Sequence, residues 1–193
     1  MILVIDNFDS YVHNLARYIR EGGRETKVVR NNAISVDECL LLPIEGVVIG
    51  PGPKRPADVG LALALIRALP SAMPFLGVCL GHQCLVEVFG GDTCRANHPL
   101  HGEASAIRHT GTGIFQNIPS PTPVGRYHSL IAAPAQNSPL EETAWNEDGE
   151  LMAVAHRSQP WFGVQFHPES LLTPQGHAMI ENFLTFCDGR NAL

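Results

Sequence analysis

The most constraining feature of this sequence is a short apolar run that leads into two closely spaced glycines. Residues 74–76 (Pro-Phe-Leu) are followed by Gly-Val-Cys-Leu-Gly at 77–81, and a helical pattern continues from His82 to Phe89. A strand, a tight turn and a helix are therefore predicted in immediate succession, with the thiol of Cys79 at the apex. Glycines suit such a turn because they adopt backbone angles that other residues avoid and let a helix approach a strand closely.

Cys79 has two interpretations. The arrangement matches the nucleophile elbow of Gly-x-Ser-x-Gly hydrolases, with cysteine in place of serine. A cysteine at the start of a helix is close to free backbone N–H groups and the positive helix end, which favour a thiolate. The alternative is a buried core cysteine between two packing glycines, because free cysteines are commonly buried.

A second candidate segment lies far downstream. Residues 163–170 (Gly-Val-Gln-Phe-His-Pro-Glu-Ser) are predicted to form a strand that ends in a polar turn. His167 can serve as a general base, and Glu169 can accept a hydrogen bond from its other ring nitrogen, since alternate residues of an extended segment point to the same side. An ordinary surface histidine is the alternative. A cysteine with distant histidine and acid partners is the pattern of an activated nucleophile.

Short apolar runs alternate with helical patterns along the first half of the chain. Strand–helix alternation predicts an α/β fold with an open, mainly parallel, doubly wound sheet that has helices on both faces. We expect a small antiparallel addition at one edge, and a single domain over residues 1–193. The predicted parallel strands are 2–5, 26–29, 47–49 and 75–78, the helices 11–20, 57–69 and 174–186, and the later strands 103–109, 123–132 and 151–156.

Composition excludes several classes of protein. The 193 residues are 45% hydrophobic and carry a net charge of −6, which argues against a protein that binds a phosphate backbone. No apolar stretch approaches the roughly 20 residues of a membrane span. The five cysteines show no paired metal-ligand spacing. A cytoplasmic location is expected, because a thiol nucleophile needs a reducing compartment.

Several motifs together resemble one known family. Three segments resemble signatures of class I glutamine amidotransferases: Gly-Pro-Gly-Pro at 50–53, Gly-Val-Cys-Leu-Gly-His-Gln at 77–83, and residues 163–170. Three more resemble the small amidotransferase subunits of anthranilate synthase and aminodeoxychorismate synthase: Ile-Asp-Asn-Phe-Asp-Ser-Tyr at 5–11, Leu-His-Gly at 100–102, and Arg-Tyr-His-Ser-Leu at 126–130. The resemblance covers residue 1 to about residue 186 and implies the flavodoxin-like sheet of that family.

The resemblance also implies how a glutamine amide would be activated. Cys79 would be the nucleophile, with His167 and Glu169 as its catalytic partners. Our hypothesis is that the backbone N–H groups of Gly52 and Leu80 form the oxyanion hole, since sites in open α/β sheets form beyond the carboxyl ends of the strands. Without the resemblance, residues 50–53 have an ordinary turn as their alternative.

Three further residues are implied to bind the amino-acid end of glutamine. Gln83 resembles the residue that reads this end, and Ser129 with Leu130 resembles the backbone clamp on it. The alternatives are a solvated helix residue for Gln83 and a strand-edge hydroxyl for Ser129. No metal is expected in the site. His82 is expected to be structural, and residues 6–9 are expected to provide turn and cap hydrogen bonds.

The resemblance implies a partner subunit. This chain has no room for a second active site, so a larger synthase subunit (component I) would bind chorismate and Mg²⁺ and receive the ammonia. No cofactor is expected in this chain itself, and neither a nucleic acid nor a membrane is an expected partner. Lys54 and Glu103 depart from the residues common in relatives, which bears on docking and activation. Two alternatives stay open: a free-standing Cys-His-Glu acyl hydrolase or peptidase, and a catalytically silent docking subunit.

Overall fold

The structure is a computed structural model that describes residues 1–189, in which nine strands form one sheet flanked by five α-helices. The strands are β1 (Ile2–Asp6), β2 (Thr26–Arg30), β3 (Gly46–Ile49), β4 (Phe75–Val78), β5 (Asp92–His109), β6 (Thr122–Ala133), β7 (Leu140–Asn146), β8 (Leu151–His156) and β9 (Trp161–Val164). The helices are α1 (Val12–Glu21), α2 (Val36–Leu41), α3 (Gly60–Ala68), α4 (Leu80–Val88) and α5 (Gly176–Cys187). The predicted domain ends with four residues that lie outside the described part of the chain.

The strand order across the sheet is β2-β1-β3-β4-β9-β8-β7-β5-β6. The first five strands in this order are parallel, and the other four extend the same sheet as antiparallel strands. The predicted α/β class and its parallel strands are confirmed. The antiparallel part is larger than the small addition expected, because β5 and β6 are long and β7 adds a further strand.

Helices cover both faces of the parallel strands. Ile2 and Val4 of β1 pack in one apolar cluster with side chains of α1 and α5. Leu3 and Ile5 pack in a second cluster with side chains of α3 and α4. Successive residues of a strand point to opposite faces, so a strand that is buried on both faces must be apolar at every position. This explains why β1, β3, β4 and β9 appear in the sequence as nearly uninterrupted apolar runs, whereas β2 at the edge of the sheet is more polar.

Two elements, α2 and β7, were not predicted. Helix α2 begins with a capping box in which Ser35 and Glu38 exchange hydrogen bonds, but Cys39 is its one fully buried residue, so the apolar periodicity is weak. Strand β7 has register shifts on either side of Ala144 against β8. These irregularities break the alternation of apolar and polar residues by which a half-buried strand is recognised.

Three predicted elements have different bounds. The strand expected at 103–109 is longer and begins at Asp92. The helix expected at 57–69 is a 3-10 turn (Pro56–Asp58) followed by α3, and the two are separated at Val59, whose φ of −122° and ψ of 61° are not helical. The strand expected at 163–170 ends at Val164, and residues 165–170 continue as a buried irregular segment. A bridge between His167 and Gly125 of β6 fixes that segment at the end of the sheet.

The turn between β4 and α4 is tight enough to require its glycines. Cys79 has a φ of 52°, in the left-handed region, and its N–H donates to the carbonyl of Val164 at 2.8 Å. A Cβ atom at Gly77 would overlap the backbone of Gly81, and a Cβ atom at Gly81 would overlap the carbonyl group of Ile49. The elbow predicted from the sequence is therefore present, and it exists because α4 lies directly against β3 and β4.

We predict that Gly81→Ala lowers the free energy of unfolding by about 1–3 kcal/mol, because the added methyl group meets rigid backbone rather than a flexible side chain. The control is Gly60→Ala, where a Cβ atom would meet no atom within 4 Å on α3. That variant should be neutral or more stable by up to about 1 kcal/mol, since alanine is the better helix former. Urea unfolding of both variants measures the difference, and equal stabilities would contradict the steric explanation of the elbow.

Candidate active site

The candidate residues meet at the carboxyl ends of the parallel strands. Asn7 follows β1, the Gly-Pro-Gly-Pro segment follows β3, Cys79 follows β4, and Gln165 follows β9. Asn7 Nδ2 donates to the carbonyl of Gly50 at 2.9 Å, and Gln165 Nε2 lies 3.6 Å from Cys79 Sγ. The structure therefore brings together segments that are 86 residues apart, at the edge where open α/β sheets form their sites.

Cys79, His167 and Glu169 form one buried group. The Nδ1 atom of His167 donates to Glu169 Oε1 over 2.7 Å, and the exposed fractions of the three residues are 6%, 2% and 1%. Burial lowers the pKa of His167, but the contacts with Cys79 and Glu169 outweigh burial and hold it well above the usual value. Within residues 1–189, His167 Nε2 has no hydrogen-bond partner of normal geometry, so its contact with the thiol is close but poorly aligned.

The environment of His167 includes two tyrosine rings. The ring centroids of Tyr11 and Tyr127 lie 5.6 Å and 5.0 Å from that of His167, each in an edge-to-face orientation. Tyr127 Oη and Ser170 Oγ are hydrogen-bonded at 3.1 Å. The imidazole is therefore held on three sides, by Glu169 and by two aromatic rings. Both tyrosines lie in motifs, at 5–11 and 126–130, but no role was predicted for them.

A cavity of about 120 Å³ opens above the thiol. It contains four other residues that were predicted for substrate binding: Gly52, Gln83, Ser129 and Leu130. Five lining residues were not predicted to belong to the site: Pro53, Lys54, His101, Tyr127 and His128. Three of these five, His101, Tyr127 and His128, lie in the motifs at 100–102 and 126–130. Of the residues in those two motifs, only Ser129 and Leu130 were predicted to bind substrate.

The loop that holds Gly52 is packed tightly. A Cβ atom at Gly52 would lie 2.7 Å from Asn7 Cβ and 2.7 Å from Leu80 Cδ2. Asn7 is itself held by Asn31, whose Nδ2 donates to Asn7 Oδ1 at 2.9 Å. Leu80 is the first residue of α4, so its N–H has no acceptor in a preceding helical turn. The two backbone groups predicted for the oxyanion hole therefore lie on adjoining segments beside Cys79.

Residues 6–9 form hydrogen bonds at the end of β1, as predicted. Asp6 Oδ1 accepts from the N–H groups of Phe8 and Asp9, and Asp9 Oδ1 accepts from Tyr11 N–H. Asn7 does more than the sequence indicated, because it ties β1 to the loop that contains Gly52. Among residues 1–189, no group of three or more His, Cys, Asp or Glu side chains is placed to hold a metal ion.

The side chain of Gln83 is fixed by two hydrogen bonds. Its Nε2 atom donates to the carbonyl of Leu130 at 3.2 Å and to Gln165 Oε1 at 3.1 Å. Both hydrogens of the Gln83 amide are engaged in these hydrogen bonds, so the group that Gln83 can offer to a ligand is its carbonyl oxygen. An oxygen acceptor at the cavity wall suits the ammonium group of an amino acid.

Comparisons with known proteins agree with this geometry. Residues 3–186 match the family described as class-I glutamine amidotransferases. The chain is 46% identical to anthranilate synthase component 2 of Azospirillum brasilense over 95% of both chains. It is 44% identical to aminodeoxychorismate synthase component 2 of Escherichia coli K12, over 95% of this chain and 99% of that one. The chain therefore belongs to the class I glutamine amidotransferase family.

A solved structure supports the fold independently. The crystal structure of a protein from Thermoplasma acidophilum, described as one of the subunits of a GMP synthase, superposes with a TM-score of 0.87 at 27% identity. The superposition covers 97% of this chain and 94% of that one. The antiparallel strands at the far edge of the sheet are thus compared together with the parallel strands, rather than left outside the match.

His82 illustrates a buried residue that the active site does not use. It is fully buried, and neither ring nitrogen has a hydrogen-bond partner within residues 1–189. Burial lowers its pKa to about 3, with a further contribution from His128. Because the usual pKa of histidine is about 6.5, the unfolded chain binds more protons than the folded chain between these values. The resulting contribution to stability is present above pH 6.5 and is lost as the pH falls.

We predict that His82→Leu is at least as stable as the wild type at pH 7, because an unpaired buried polar group is replaced by an apolar one. Its stability should also fall less between pH 6.5 and pH 4.5, within the window set by the two pKa values. Urea unfolding at both pH values measures this, with His13→Leu on the exposed side of α1 as the control. An unchanged pH dependence in His82→Leu would contradict the prediction.

Proposed function

We propose that this chain is a glutaminase subunit that hydrolyses glutamine to glutamate and delivers the ammonia to a chorismate-binding synthase subunit. The observation that supports it most directly is the buried group of Cys79, His167 and Glu169, of which Cys79 lines a small cavity. The names of the two relatives supply the class of partner, since both are component 2 of a synthase. We infer a cytoplasmic location from the need to keep Cys79 reduced.

The first half of the proposed reaction forms a thioester. The proton of the Cys79 thiol passes to His167, whose raised pKa favours the imidazolium form. The thiolate sulfur attacks the side-chain carbonyl carbon of glutamine, and the carbonyl oxygen becomes an oxyanion beside the N–H groups of Gly52 and Leu80. His167 then protonates the amide nitrogen as the carbon–nitrogen bond breaks, which releases ammonia and leaves a γ-glutamyl thioester on Cys79.

The second half returns the enzyme to its starting state. Water attacks the thioester carbonyl carbon while His167 accepts a proton from it, and the carbon–sulfur bond breaks to release glutamate as His167 returns that proton to the Cys79 sulfur. Glu169 accepts the Nδ1 proton of His167 in a hydrogen bond of 2.7 Å, so Nε2 is the nitrogen that exchanges protons in both halves. Backbone donors stabilise the charge on the carbonyl oxygen, and all proton transfers pass through one histidine.

The wall of the cavity opposite the thiol is proposed to hold the amino-acid end of glutamine. The Gln83 carbonyl oxygen would accept from the α-ammonium group, and the backbone at Ser129 and Leu130 would line the α-carboxylate. A cavity of about 120 Å³ is smaller than ligand sites of roughly 300–1,000 Å³, which favours a small substrate such as glutamine over the larger substrates of a free-standing peptidase.

The first experiment measures glutamate release from glutamine by the wild type and by Cys79→Ser, with and without chorismate and the synthase partner that binds it. We expect partner-stimulated release in the wild type and a loss of about 10⁴-fold or more in the variant, because the nucleophile is removed. The aromatic product then identifies the partner as an anthranilate or an aminodeoxychorismate synthase. No release from folded wild type under any condition would favour the silent docking subunit.

A further prediction concerns the N–H group of Gly52 in the proposed oxyanion hole. Gly52→Ala should lower kcat for glutamine by about 10²-fold, because the methyl group collides with Asn7 and Leu80 and displaces one N–H donor. Because the methyl group meets the buried residues Asn7 and Leu80, the melting temperature should also fall, so kcat is compared at a temperature at which circular dichroism shows both proteins to be folded. Gly60→Ala is the matched control and should retain wild-type kcat. Wild-type turnover in Gly52→Ala would remove Gly52 from the proposed mechanism.

A further inference from the structure

A fully buried ion pair lies behind the cavity, and the proposed mechanism does not use it. Arg126 Nη2 donates to Glu150 Oε2 at 2.9 Å, and each side chain is 2% exposed. Burial raises the pKa of Glu150, but the N–H of Asn97 and the Arg126 guanidinium outweigh it and lower the pKa below its usual value. Buried ion pairs contribute little net stability compared with apolar residues of similar size. The pair therefore calls for an explanation other than stability.

The ion pair determines the state of a histidine at the cavity wall. Arg126 Nε lies 3.0 Å from His128 Nε2, and a guanidinium can only donate, so Nε2 is the acceptor. The ring proton must then be on Nδ1, which donates to the carbonyl of Leu130 at 2.9 Å. Burial and the charge of Arg126 lower the pKa of His128 to about 4, so the ring stays neutral near pH 7.

The same carbonyl group holds Gln83. The Leu130 oxygen accepts from both His128 Nδ1 and Gln83 Nε2, and Gln83 continues to Gln165, whose amide contacts the sulfur of Cys79. A carbonyl held by two donors cannot rotate without breaking one of them. The orientation of the peptide at Leu130 and that of the Gln83 amide are therefore set together.

We propose that Glu150, Arg126 and His128 are positioning residues that fix the Leu130 carbonyl and Gln83 for the amino-acid end of glutamine. We name the three the Glu150 relay. His128 lines the cavity, but both of its ring nitrogens are occupied within the relay, so it has no hydrogen-bonding atom left for the substrate. The relay thus acts through Leu130 and Gln83, and it rests on the proposed function of the site.

Two variants of His128 separate positioning from packing. His128→Leu removes both hydrogen bonds, and we expect KM for glutamine to rise roughly tenfold while kcat at saturation changes less than about threefold. His128→Gln offers one acceptor to Arg126 and one donor to Leu130, so KM should return to within about threefold of the wild type. The rate at which iodoacetamide alkylates Cys79 should be the same in all three proteins, because this reagent has no amino-acid end.

Arg126→Lys tests the relay one step further from the cavity and keeps the buried charge of Glu150 paired. A lysine whose ammonium group binds Glu150 places no donor where Arg126 Nε lies, so His128 Nε2 loses its hydrogen bond. KM should rise several-fold, again with unchanged alkylation. His156→Gln alters another buried histidine, outside the relay, and should leave KM unchanged. If His128→Leu does not fold, the comparison of Arg126→Lys with His156→Gln decides the question.

The outcomes separate the two proposals. Glutamate release by the wild type, with a raised KM in His128→Leu or Arg126→Lys and rescue by His128→Gln, supports the relay. If the wild type releases glutamate and KM is unchanged in His128→Leu and Arg126→Lys, the relay alone is overturned. The relay alone is also overturned if these variants lose both kcat and the alkylation of Cys79. Absence of release from the wild type, with its partner and chorismate present, overturns the proposed function and the relay with it.

Discussion

The direct contact between α4 and strands β3 and β4 is the constraint on which the rest of the site depends. No Cβ atom fits at Gly77 or Gly81, so the helix lies against the backbone of the strands rather than on a layer of side chains. Cys79 must then turn within a single residue, which explains its positive φ. The thiol consequently stands above the sheet, where segments that follow β1, β3 and β9 can reach it. A looser turn would separate Cys79 from His167 and Gln165 at once.

The site gives three buried histidines three different environments. His167 has a carboxylate on Nδ1 and the thiol near Nε2, which hold its pKa well above the usual value and suit it to carry a proton. Burial and the guanidinium on Nε2 keep the ring of His128 neutral, and the guanidinium leaves it with one defined donor, Nδ1. His82 has neither partner and stays neutral chiefly through burial, with a smaller contribution from His128. The type of residue does not determine the role; the group that faces each ring nitrogen does.

Local patterns made the parallel strands and the elbow predictable. Uninterrupted apolar runs mark strands that are buried on both faces, and the glycines on either side of Cys79 mark a turn that no other residue permits. The relay was not predictable, because Glu150, in the turn before β8, pairs across 24 residues with Arg126 of β6, a strand that is not adjacent to β8 in the sheet. Helix α2 and strand β7 were missed for a different reason: one buries a single residue and the other is irregular in register.

Selection between the two proposed classes of synthase partner is expected to depend on residues other than the catalytic group. Hydrolysis of glutamine is the same step for either partner, so Cys79, His167 and Glu169 carry no information about the pathway. Lys54 is exposed and lines both the cavity and a neighbouring groove of about 520 Å³ that includes Asn7 and Phe8. A partner protein that contacts this groove would touch the loop that holds Gly52. A substitution at Lys54 is therefore expected to alter both this groove and the loop that holds Gly52.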